Sequence, residues 1–104
     1  MVLRTRVEAH PPQRRELVLA LLRWAESVRA DDGATACHLY EDLELPGTFA
    51  LTVEWRAEEA LQAHLHSEPF GVLQGAMEVL AKPARFEIVG PEGRSIPASV
   101  RAAR

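Results

Sequence analysis

The strongest constraint on the fold of this 104-residue chain is the order in which its hydrophobic period changes: two, 3.6, two, two, 3.6, two. Residues 2–9 alternate, with Leu3 and Val7 on one face and Arg4, Arg6 and Glu8 on the other, as in a strand with one buried side. His10-Pro11-Pro12 ends that strand, because proline cannot continue a ladder but suits a first helical turn. Over 12–30, Leu17, Leu21, Trp24 and Val28 recur at helical spacing, flanked by Val18, Leu22 and Ala25. Asp31-Asp32-Gly33 stops this helix, with the glycine expected in the left-handed conformation that closes many helix ends.

Residues 34–42 read as a second strand, with Cys37 and Leu39 facing one way and Ala36, His38 and Tyr40 the other. Glu44-Leu45-Pro46-Gly47 is turn chemistry, and residues 48–55 follow as a third strand carrying Phe49, Leu51, Val53 and Trp55 on one side. The short connection makes these two strands an antiparallel hairpin. A short helix over 56–66 comes next. Ser67 is placed to cap another, with Pro69 in its first turn and an apolar stripe of Phe70, Leu73, Met77 and Leu80. Lys82-Pro83 ends the stripe, and 84–89 alternates again with Phe86 and Ile88 inward.

The order is β-α-β-β-α-β with the second helical segment broken at Ser67. It specifies an α+β, ferredoxin-like fold: one four-stranded antiparallel sheet with its helices on one face. Residues 1–90 form this single domain, and 91–104, with Pro91, Gly93 and Pro97 and little periodicity, form a C-terminal tail. The uncovered sheet face carries Arg4, Arg6, Glu8, His38, Tyr40, Thr52, Glu54, Arg85 and Glu87. Such a face is either solvated or paired with the same face of a second subunit.

Charge and composition exclude several functions. The net charge is −3, and the basic residues, eleven arginines and Lys82, are spread along the chain; nucleic-acid binding is therefore not expected. Cys37 is the sole cysteine, no signal-peptide pattern opens the chain, and the Leu17 to Leu22 cluster is far too short to cross a bilayer. A cytoplasmic location without membrane contact follows as the expectation. His64 and His66 lie two apart on a helix, about 200° around it, with no Asp, Glu or Cys at ligand spacing, so no metal site is expected. A Gly-rich phosphate loop is absent.

The candidate for chemistry is His64, which falls three residues after Leu61 and four after Ala60 and so shares their inward face, whereas His66 points to water. A neutral imidazole in an apolar pocket can accept a proton or orient a ligand; it can equally be a core histidine bonded to backbone. Trp55, Trp24, Leu65, Phe70, Met77 and Phe86 are the residues expected around it, as core packing or as the wall of a pocket for an aromatic ligand.

Gly33, the turn at Pro46-Gly47, and Phe49-Ala50-Leu51-Thr52-Val53-Glu54-Trp55 followed by Ala60, His64-Leu65, Ser67 and Phe70 resemble the antibiotic biosynthesis monooxygenase (ABM) family over about residues 2–90. The resemblance implies a dimeric α+β barrel, two ferredoxin-like subunits packed sheet to sheet, with a ligand cavity between sheet and helices. Activities in that superfamily include cofactor-independent oxygenation of phenols and quinols, haem degradation, and isomerisation of a small phosphorylated signal. The haem-degrading members carry tryptophan at the position of His64 and the haem-ligating histidine at that of Gln74; glutamine is a poor iron ligand, which argues against haem. What the resemblance implies is thus a quinol-monooxygenase-like protein using dioxygen and no cofactor on a small aromatic substrate, with His64 as base or orienting group. The alternatives are a non-oxidative isomerase in the same pocket and a non-enzymatic small-ligand-binding module. His38 and Tyr40 are secondary candidates, and become interface residues if the sheet faces pair.

Overall fold

A computed structural model describes residues 1–90 and the strand Ser95–Pro97. The chain runs β1 (Val2–Glu8), a 3-10 turn (Pro11–Gln13), α1 (Arg14–Arg29), β2 (Ala34–Glu41), β3 (Thr48–Trp55), α2 (Glu58–Leu65), α3 (Glu68–Leu80), β4 (Arg85–Val89) and β5 (Ser95–Pro97). The sheet order is β2-β3-β1-β4-β5, antiparallel throughout, with Leu3 of central β1 opposite Val53 on one side and Ile88 on the other. Alternation sends Leu3, Val7, Leu51 and Val53 into the core beneath the helices, each 1% exposed, while Arg4, Arg6, Glu8, His38 and Tyr40 stand exposed on the opposite face. This is the expected ferredoxin-like α+β arrangement.

Three details differ from the sequence expectation. The two prolines form a 3-10 turn and α1 begins only at Arg14. The four expected strands gain a fifth at the β4 edge, where Ile96 lies opposite Ile88; part of the segment read as a tail therefore extends the sheet. The rest of 91–104 lies outside the described residues. Gly33 is not left-handed: among the described residues only Gly47, with φ 89°, has positive φ. What requires glycine at 33 is proximity, since a Cβ there would sit 2.7 Å from the Cβ of Ala60.

That approach seats α2 against the start of β2, and the Gly33 carbonyl accepts from the Arg56 N–H at 2.9 Å. The break between α2 and α3 is held by Ser67. Its hydroxyl donates to the His64 carbonyl at 2.6 Å and accepts from the Phe70 N–H at 3.3 Å, so one side chain ends α2 and caps α3. Pro69 sits in the first turn of α3, where its missing N–H costs nothing.

The two causes of glycine use are separable. Gly33→Ala should destabilise by about 1–3 kcal/mol, since α2 must shift to admit the methyl. Gly71→Ala, inside α3 with open space where its Cβ would lie, should stabilise by about 0.5–1 kcal/mol. Urea unfolding of the two variants beside the parent checks both signs.

Candidate active site

His64 lies on the inward face of α2 with Leu61 and Leu65, and is only 4% exposed. Three aromatic rings enclose its imidazole: Trp55 with centroids 4.8 Å apart, Phe70 at 5.2 Å edge-on, and Trp24 at 5.8 Å. Trp24, reaching across from α1, donates its indole N–H to Nε2 at 3.2 Å. An indole nitrogen can only donate, so Nε2 must be the unprotonated nitrogen and the proton of the neutral ring sits on Nδ1. Burial pushes the pKa of His64 down to about 4, and the carboxylate of Asp31 offsets only part of that fall. At neutral pH the group is therefore uncharged, with a used acceptor at Nε2 and an N–H at Nδ1 that makes no hydrogen bond among the described residues.

Trp55, at the end of β3, is 3% exposed, and no acceptor among the described residues meets its Nε1–H. The two tryptophans of this core thus differ. Trp24 has its acceptor and Trp55 does not.

The helices cover the sheet unevenly. Leu3 and Val7 on β1 are fully buried, but Phe86 and Ile88, on the helix-facing side of neighbouring β4, are only half-buried. A cleft of about 320 Å³ opens there, lined by Gln74, Met77, Ala81 and Phe86, with the exposed Glu78 and Lys82 at its mouth. Phe86 touches Phe70 edge to face at 6.0 Å, and Phe70 touches His64. Two ring contacts therefore lead from the cleft to the imidazole, and Phe70 stands between them.

The expected site residues fall into three groups. Trp24, Trp55 and Phe70 surround His64; Met77 and Phe86 line the cleft; Leu65 is a buried residue of α2. His38 and Tyr40 are exposed on the other face of the sheet, with rings 6.3 Å apart, and do not join the cluster. Two buried polar residues lie outside that set of candidates. Gln74 lies four residues after Phe70 on the inward stripe of α3 and lines the cleft; Thr5 lies between Leu3 and Val7 on the inward face of β1, opposite Phe86. The spacing that placed their apolar neighbours inside placed them there too.

Fold and cluster together define a class: a ferredoxin-like α+β protein with an apolar cleft beside its helix layer and, behind Phe70, a neutral buried histidine. The model of the family described as antibiotic biosynthesis monooxygenase matches residues 1–76, and the chain belongs to that family. Its monooxygenase-like character follows at that general level. No curated protein matches the chain. Among solved structures it is similar to a Deinococcus radiodurans protein assigned as an antibiotic biosynthesis monooxygenase, at 22% identity with TM-score 0.78 over 100% of this chain and 98% of that one. Similar structures also come from Mycobacterium tuberculosis, at 23% identity and TM-score 0.73 over 99% and 97%, and from Pseudomonas aeruginosa, at 21% and 0.76 over 93% and 91%. These likenesses establish the shared fold. No helix among the described residues is long and apolar enough to cross a membrane.

The depressed pKa makes stability depend on pH. The unfolded chain protonates His64 near pH 6.5 and the native chain only near 4, so its contribution is complete above about pH 6.5. It falls as pH drops toward 4, by about 3 kcal/mol. Glu41, held at about 2 by the Arg14 guanidinium and the Gly47 N–H, adds a separate loss between about pH 4.5 and 2. Thermal melts from pH 7.5 to 4.5 should show the first loss in the parent and a flatter profile in His64→Gln. Trp24→Phe, which leaves Nε2 without its donor, should cost about 1–3 kcal/mol and raise the His64 pKa, measured by urea unfolding and imidazole NMR titration.

Proposed function

We propose that the protein is a cofactor-independent monooxygenase that oxidises a quinol-like or polycyclic aromatic phenol with dioxygen, as a cytoplasmic homodimer. The observation that carries this is the apolar cleft between α3 and β4, continued by Phe86 and Phe70 to a buried, uncharged histidine. An apolar cleft with Met77 and Phe86 in its lining suits an aromatic ligand, and family membership supports oxygenation as the reaction class. A quinol supplies every electron required: one quinol and one dioxygen give one hydroxyquinone and one water, four electrons leaving the substrate and four reaching oxygen. The protein then has to bind the ring, favour its anion and keep bulk water away.

Of the two roles open to His64, orientation fits better than proton abstraction. Its Nε2 lone pair is already occupied by Trp24. A phenol with pKa near 10 transferring its proton to an imidazole at about 4 faces a gap of about six pKa units, or about 8 kcal/mol. The phenolic proton instead passes to solvent at the cleft mouth, and His64 offers Nδ1–H to the oxygen left behind.

The homodimer would use the uncovered sheet face. That face presents the exposed Tyr40 and the cross-strand pair Arg4–Glu87 at 3.5 Å, polar groups able to meet the same face of a second copy about a twofold axis. Family membership supports this too.

Oxygen uptake tests the activity, with 1,4-dihydroxynaphthalene as the probe and its spontaneous oxidation as the blank. The parent should consume one dioxygen per quinol without added flavin or metal, and His64→Phe should lose about a hundredfold or more in rate. Uptake equal to the blank would remove the assignment. Sedimentation at micromolar concentration should give a dimer, and Ala50→Glu, a charge placed mid-face, should give the monomer.

A further inference from the structure

We infer that Trp55 is a ligand-binding residue, and that its indole N–H together with His64 Nδ1–H receives an oxygen of the bound aromatic ligand, selecting a phenolate or a quinone carbonyl. The inference rests on the proposal that an aromatic molecule enters this core, and it names the polar group that molecule must carry.

The argument starts from an imbalance of donors and acceptors. Trp55 is 3% exposed, yet its Nε1–H meets no acceptor among the described residues. A buried donor left unsatisfied is costly, and native structures leave few of them. Its ring packs on that of His64, with centroids 4.8 Å apart. His64 cannot serve as acceptor, because its one free lone pair, on Nε2, already receives the Trp24 N–H. The same bond forces the imidazole proton onto Nδ1. The cluster therefore holds two N–H donors, Trp55 Nε1 and His64 Nδ1, and no remaining ring acceptor.

What completes such a site is an acceptor, and its chemistry is restricted. A cation, or a group that only donates, would meet N–H dipoles of the wrong sign. Carbonyl and anionic oxygens fit, the anion better, since hydrogen bonds to a charged group are about twice as strong as neutral ones. The surrounding Phe70, Trp24 and Trp55 rings demand that this oxygen be borne on a flat apolar body. An aromatic phenolate or a quinone meets both conditions. Donation to the ionised form also lowers the pKa of a bound phenol, so the site favours the electron-rich anion without a base.

The test uses 4-nitro-1-naphthol, whose anion absorbs in the visible, and naphthalene, which has no oxygen, both under nitrogen so that turnover plays no part. In protein carrying ¹⁵N-tryptophan, the Trp55 indole resonance should move downfield on adding the naphthol while that of Trp24 holds its position. The bound naphthol should ionise at least one pH unit below its value in buffer. Trp55→Phe should bind the naphtholate about tenfold or more weakly, bind naphthalene within about twofold of the parent, and unfold as cooperatively as the parent. Equal naphtholate affinity in parent and Trp55→Phe would overturn the inference, as would a Trp55 resonance that the naphthol leaves unmoved because water alone satisfies it. The two proposals fail separately. Selective binding with no oxygen uptake removes the monooxygenase and keeps the donor pair, whereas uptake undiminished in Trp55→Phe with unselective binding removes the donor pair alone.

Discussion

The hydrogen bond from Trp24 to Nε2 of His64 ties the core together. It joins α1 to α2 across 40 residues, in a region otherwise held by non-directional apolar packing. Packing alone would let an imidazole adopt either tautomer and several rotamers. One directional bond from a group that can only donate fixes the tautomer and restricts the ring. The other local devices serve the same placement: Ser67 clamps the His64 carbonyl at the end of α2, and Gly33 lets α2 approach the sheet closely enough for its inward face to meet Trp24 and Trp55.

The open side of the molecule follows from topology. One layer of helices must cover a sheet whose centre is β1. α1 lies against β2 and against α3, while β4 keeps Phe86 and Ile88 half-buried. The cleft is the space the helices leave over the β4 side, and its apolar floor is ordinary core-facing sequence. Cleft and core are continuous because both come from the inward alternation of β4 and the inward stripe of α3.

Most of the fold was legible in the sequence because the period of apolar residues is a direct image of which face is buried. Leu3 and Val7, Leu17 through Val28, Phe49 through Trp55, and Phe70 through Met77 all lie where their spacing places them. Two of the misreadings share one cause. Gly33 was assigned a conformation when it answers a contact with Ala60, and β5 has three residues, too few for a period to show. Both depend on what lies next to the residue in space. The site was legible in membership only: spacing put His64 and the two tryptophans inside, but no local pattern says which tryptophan finds an acceptor.

That difference also bears on how oxygen chemistry could proceed without a strong base. A phenol must become electron-rich before it gives an electron to dioxygen, and ionisation is what makes it so. A base of conjugate pKa about 4 removes little proton from a group near 10. Preorganised donors reach the same end by stabilising the anion once formed, and in a water-poor cluster each is worth more than in solvent. The limit is set by the same interaction, because every hydrogen bond to the phenolate also holds its electrons more tightly and slows their transfer to oxygen. A site with two neutral N–H donors and no cation among its rings stands between these demands. On the inferred binding mode, such a pair would lower the pKa of the bound phenol while leaving its anion oxidisable, a balance that a buried lysine or arginine at the same place would tip toward the unreactive anion.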